Sequence, residues 1–148
     1  MKTIKKFEIR SRMVRVAESK VPYGLSIQSP QQVTKAARSI LNGEEQEVFL
    51  TFLLDIKNRI LGYQEVARGA LDSCPVDPRV VFRTAIMMGA SSIIVAHCHP
   101  SGDPEPSRED RTLTKRVIEA GTLLGIRVLD HVIVGHGGTI SMAEKGWM

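Results

Sequence analysis

The chain has 148 residues, 43% of them apolar and 24% charged, and a formal net charge of +4. That balance excludes a disordered chain, and no apolar run reaches the roughly 20 residues that a membrane helix needs. Its two cysteines, Cys74 and Cys98, are too few for a disulfide framework and form no C-x-x-C pair, which argues against a thiolate-built zinc site.

At this length a single domain over 1–148 is expected, burying roughly 68–70% of the surface its unfolded chain exposes. The opening "MKTIKKFEIRSRM" carries basic residues but no apolar core or cleavage site for secretion, so a cytoplasmic location is expected. Residues 1–20 hold seven Lys or Arg against two Glu and form a basic arm. Such an arm can bind phosphates. Here "FEIRSRM" alternates Phe7, Ile9 and Met13 with Glu8, Arg10 and Arg12, which favours an edge strand whose charges discourage aggregation. No aromatic platform accompanies the charges to suggest a nucleic-acid groove.

Next, "SPQQVTKAARSILNG" offers Ser29 as N-cap, Pro30 at the first helical position, an apolar face of Val33, Ala36, Ala37, Ile40 and Leu41, and Gly43 to close. "EVFLTFLLD" is rich in branched and aromatic residues and reads as a strand, turning at "KNR" into a second strand near "ILGYQEVARG". "DPRVVFRTAIMMG" repeats the helix signals, with Asp77 capping, Pro78 first and Gly89 last. "SSIIVAHCH" lacks polar alternation and is expected as a central strand. "SREDRTLTKRVIEAGTLLG" is a third helix, and "IRVLDHVIVG", a turn at "HGG" and "TISM" form a closing hairpin. The expected class is α/β (α+β), a mixed sheet flanked by helices.

The stretch "IIVAHCHPSGDPEPSRED" carries the chemistry. Side chains alternate along a strand, so His97 and His99 share one face and Cys98 takes the other. Pro100 stops the ladder and "SGDPEP" makes a rigid turn. Ser107 and Asp110 then fit a capping box, which sets the helix start beside the histidines. Asp110 could supply a third ligand oxygen. Two histidines and one carboxylate leave the fourth position of a zinc site open to water, whose pKa zinc lowers to about 7.

His97, His99, Ser107 and Asp110 match H-x-H-x7-S-x2-D, and the chain therefore resembles the JAB/MPN metallopeptidases that carry this JAMM signature. "HPSGDPEPSREDRTLTKRVIEAGTLLGIRVLDHVIVG" looks in particular like the RadC branch, from about Ser29 to the C-terminus. A counterpart of the helix-hairpin-helix region that full-length RadC proteins carry in front is not expected here, where the short basic arm takes its place. RadC-like sequences commonly read H-N-H, and here the middle residue is Cys98. The resemblance implies a JAB/MPN-like fold, related in layout to cytidine-deaminase-like folds. It implies Zn²⁺ held by His97, His99 and Asp110, and a catalytic glutamate just after the first helix. The matching residue is Glu47, with Glu65 as the alternative. It further implies hydrolysis of a peptide or isopeptide bond in a protein substrate, with Ser107 hydrogen-bonding the developing oxyanion.

Asp103 is expected to stabilise the loop turn, with contact to a ligand as the lesser option. Asp130 and His131 interrupt an apolar strand; a satisfied sheet-edge pair is favoured over one of them facing the site. His136 is expected to be exposed in its turn. Other zinc hydrolases fit poorly: the deaminase P-C-x-x-C, the H-x-H-x-D-H of metallo-β-lactamase-type nucleases and H-E-x-x-H are all missing. The rival from another class is a DNA-associated repair-type protein that binds through the basic arm, whose signature is salt-dependent affinity lost with the arm. No membrane partner is expected, and a homodimer remains open.

Overall fold

Residues 5, 6, 8, 10, 19–69 and 76–148 are described by the computed structural model. The strand expected over 7–13 lies outside them apart from Glu8 and Arg10, as does Cys74. The elements follow the capping and periodicity signals: α1 (Pro30–Leu41), β1 (Val48–Leu54), β2 (Ile60–Arg68), α2 (Pro78–Met87), β3 (Ser92–Cys98), α3 (Arg108–Leu124), β4 (Arg127–Gly135) and β5 (Gly138–Ser141). Ser29 and Asp77 cap the first two helices with their side chains, each with proline at the helix start. Among the described residues no helix is long and apolar enough to cross a membrane.

The strands form one mixed sheet in the order β2-β1-β3-β4-β5. Only β3 and β4 run parallel; the other neighbours are antiparallel. A parallel pair needs a long crossover, and α3 supplies it. On one face, Val33, Ala36, Ala37 and Leu41 of α1 pack against Leu50, Phe52, Ile94, Cys98 and Val132. On the other, Val81, Phe82 and Ala85 of α2 and Val117 of α3 pack against Phe49, Leu53, Ile93 and Val95. Each large side chain buried this way contributes about 1.5–3 kcal/mol. Helices on both faces explain why β3 is apolar without alternation.

One irregularity matters for function. Ile93 pairs with Val128 but Ile94 pairs with Asp130, so Leu129 is an extra residue in β4. A one-residue shift exchanges the two faces of everything that follows. Val132 and Val134 therefore join the α1 side, while His131 turns to the α3 side, where it meets Thr114.

Candidate metal centre

The site lies where β3 ends beside the start of α3. His97 is the last residue but one of β3, and the His99 backbone N–H still donates to Val134 O at 2.8 Å, extending the ladder. The alternation expected from the sequence is present: Cys98 packs in the α1-side core, and the two imidazoles meet with Nε2 atoms 2.8 Å apart. Phe49 stacks on the His97 ring at 5.9 Å between centroids, fixing its plane from below.

The loop after His99 is clasped to the β4–β5 turn. Gly137 N–H donates to Gly102 O at 2.9 Å, and a Cβ on Gly135 would fall 2.3 Å from that same oxygen. Gly102 itself has φ +92°, which disfavours any side chain. Held this way, the Asp103 carbonyl accepts from His99 Nδ1 at 2.8 Å, while the Asp103 carboxylate accepts from Glu105 N–H at 3.0 Å. Asp103 therefore does both things considered for it: the side chain makes the turn, and the backbone orients a candidate ligand. With its proton on Nδ1, His99 presents a bare Nε2.

Asp110 arrives through the capping box. Its N–H donates to Ser107 Oγ at 3.0 Å and its Oδ2 accepts from Ser107 N–H at 2.8 Å. Its Oδ1 lies 3.2 Å from His97 Nε2, and Oδ2 lies 3.2 Å from His99 Nε2. Burial opposes charge on Asp110, yet hydrogen bonds with His97 and His99 outweigh it and hold the carboxyl well below the usual carboxylate range. The bond with Asp110 raises the His99 pKa above its ordinary value, against partial burial.

Two imidazole nitrogens and a carboxylate form a group able to hold a metal ion. The donor set suits zinc, and zinc ligands at bonds of about 2.0–2.1 Å sit about 3.3 Å apart in a tetrahedron. Gaps of 2.8 to 3.2 Å need only open slightly. The residues fit the ion.

Glu47, His99, Ser107 and Asp110 line one cleft. Phe49 pairs with His97 across β1 and β3, and continuing that register by two residues puts Glu47 opposite His99. The Glu47 charge contributes to the raised His99 pKa. Glu65 is placed elsewhere: it pairs with Leu50 on the other side of β1 and is exposed, its carboxylate bonded to Arg68 at 2.8 Å. Arg68 also holds Glu44 at 2.8 Å. His136 is exposed, with its ring against Gly102.

Asp130 and His131 do not form a sheet-edge pair. Strand β4 is interior, and as consecutive residues the two face opposite sides of the sheet, the bulge deciding which side each takes. Asp130 accepts from Ser141 Oγ at 2.5 Å and from Ala143 N–H at 3.0 Å; burial pushes its carboxyl up while these bonds pull it down. His131 Nε2 lies 2.8 Å from His97 Nδ1, and its Nδ1 lies 2.6 Å from Thr114 Oγ1. Complete burial, followed by the nearby His97, pushes the His131 pKa well below its ordinary value. Thr114 escaped the sequence reading because a threonine inside a helix gives no signal of its own.

The RadC-like JAB domain family matches residues 27–147. A UPF0758 protein of Caldanaerobacter subterraneus subsp. tengcongensis is 48% identical over 122 residues, 82% of this chain and 52% of that protein. A UPF0758 protein of Geotalea uraniireducens is 48% identical over 120 residues, 81% of this chain and 53% of its own length. The chain thus spans about half the length of these curated relatives. With the match covering the sheet, all three helices and the His–His–Asp cluster, the chain belongs to the RadC-like JAB domain family.

Proposed function

We propose that this domain is a zinc-dependent hydrolase acting on a peptide or isopeptide bond. The observation that carries the reading is the convergence of His97, His99 and Asp110 at the edge of a cleft also lined by Glu47 and Ser107. Zinc, when bound, supplies a Lewis acid that makes water a nucleophile near neutral pH. His97, His99 and Asp110 hold the ion. Glu47 takes the proton of the attacking water and passes it to the leaving amine. Ser107 Oγ accepts from Asp110 N–H, which leaves its hydroxyl proton to donate to the carbonyl oxygen as charge develops there.

The cleft lining speaks against nucleic acid as the molecule acted upon. Six carboxylates line it, from Glu45, Glu47, Asp103, Glu105, Glu109 and Asp110, against the guanidinium groups of Arg108 and Arg116. A phosphate backbone would be repelled there. The DNA-binding alternative depends on the basic arm, most of which lies outside the described residues, and draws no support from this cleft.

Metal content tests the reading. Wild type should hold one zinc per chain and His99→Ala about one equivalent less; equal content in both would sink the ligand assignment. Ferrous iron also suits two histidines and a carboxylate, so both metals are measured.

Proton release gives a second check. In the metal-free protein the His99 pKa lies above its ordinary 6.5. Below that raised value zinc must displace a proton from His99, so affinity should fall as the pH drops. Asp110 is held ionised and His131 neutral, so neither adds to the slope in this window. Titration calorimetry in buffers of different ionisation enthalpy should find proton release accompanying zinc binding at pH 6. Finding none would mean that His99 is not a ligand.

A further inference from the structure

We infer that His131 and Thr114 are positioning residues that hold His97 in the one tautomer able to bind metal through Nε2. The inference rests on the metal-centre reading and adds two residues to it.

A neutral imidazole carries one proton, so His97 Nε2 is free to bind only if the proton sits on Nδ1. A proton there needs an acceptor. His97 and His131 are 1% and 0% exposed, so water cannot serve, and His131 Nε2 stands 2.8 Å away. For His131 Nε2 to accept, the His131 proton must lie on its own Nδ1, which faces Thr114 Oγ1 at 2.6 Å. Thr114 can accept because its hydroxyl hydrogen goes to the Asp110 carbonyl oxygen, also at 2.6 Å. Every proton in the row then has a place, and the row begins and ends on candidate ligands: the His97 ring and the Asp110 backbone.

The same heavy atoms allow the opposite order. Thr114 could donate to His131 and His131 to His97, which would leave a proton on His97 Nε2 and close that ligand position. Metal favours the first order over the second. A histidine at 131 makes both orders available without moving any atom but hydrogen, because it accepts at one end while donating at the other. Leucine or phenylalanine would fill the space and leave His97 Nδ1–H buried without a partner in the metal-bound state, which disfavours that state. The β4 bulge gives this arrangement its aim, since it is what turns His131 rather than Asp130 toward His97.

The test is zinc affinity, measured by competition with a chromogenic chelator on the full chain. His131→Leu should bind zinc about 10–100-fold more weakly than wild type. His131→Gln, whose amide oxygen can accept from His97 Nδ1, should recover part of the loss. Thr114→Val should weaken binding less than His131→Leu, and thermal melting of the zinc-free variants shows whether each still folds. In zinc-loaded wild type, ¹⁵N spectra should find both His97 and His131 protonated on Nδ1. Wild type that takes up no zinc would overturn the metal centre and this relay together. Zinc bound by wild type and by folded His131→Leu with equal affinity would overturn the relay alone. So would a Gln variant no better than Leu, which would reduce position 131 to packing. Should His131→Leu fail to fold, wild-type affinity in Thr114→Val together with an Nε2 proton on His97 is the overturning result.

Discussion

Replacing Glu47 with glutamine is expected to slow hydrolysis by about 10²–10⁴-fold while zinc remains bound and the fold intact. Glutamine keeps the length and hydrogen-bonding reach of the side chain and removes only the base. Register is the reason to choose Glu47 among its neighbours. The pairing of Phe49 with His97 brings position 47 level with His99, at the mouth of the cleft. Glu44 is tied to Arg68 in an ion pair, as is Glu65. Glu65→Gln should therefore leave turnover near wild type. The assay is cleavage of a lysine-linked peptide library or a conjugated small protein modifier, with zinc content followed in parallel. An unimpaired Glu47 variant beside a dead Glu65 variant would move the base to the other strand.

Ser107→Ala should lose two things at once. Its hydroxyl donates to the developing oxyanion in the proposed reaction, and removing such a donor costs about 10²–10³-fold in rate. The same oxygen accepts from Asp110 N–H at 3.0 Å as the N-cap of α3, worth about 1 kcal/mol of stability. The Ser107 N–H to Asp110 Oδ2 bond survives the substitution, so the carboxylate keeps its aim. Ser107→Asp separates the two roles, because aspartate caps a helix as well as serine does but, ionised, has no proton to donate at that point. Stability should return with aspartate and activity should not. If both return, Ser107 serves the helix only.

Much of the site was legible because it is written in short-range rules. Period-two alternation was enough to put His97 and His99 together and Cys98 apart. The S-x-x-D spacing was enough to make the capping box that swings Asp110 to the histidines. Proline and glycine marked the loop, and the apolar run of β3 marked a strand covered on both faces. What could not be read depends on contacts between distant segments. Nothing in "VLDHVIV" reveals that β4 carries an extra residue at Leu129, and that residue decides which of Asp130 and His131 faces His97. The partnership of Gly102 with Gly135 is equally hidden, since alone the first reads as a turn glycine and the second as the end of a strand. Glu47 came from the family resemblance, because its position follows only once the pairing of β1 with β3 is known.

The pairing of β1 with β3 also has a bearing on how the domain acquires its parts during folding. All three candidate ligands lie within one stretch, from the end of β3 to the first turn of α3. Bringing them together closes a short loop. Glu47 reaches them only after the chain has returned through β2 and α2 to lay β3 against β1, a much longer loop. Each doubling of loop length adds about 0.6 kcal/mol of closure entropy, and contacts of long sequence separation form late. The three candidate ligands thus need less chain closure to meet one another than Glu47 needs to reach them. In the proposed hydrolase, the residues that would hold the ion therefore come together before the one that would supply the base, and an incompletely folded chain would lack the means to cleave.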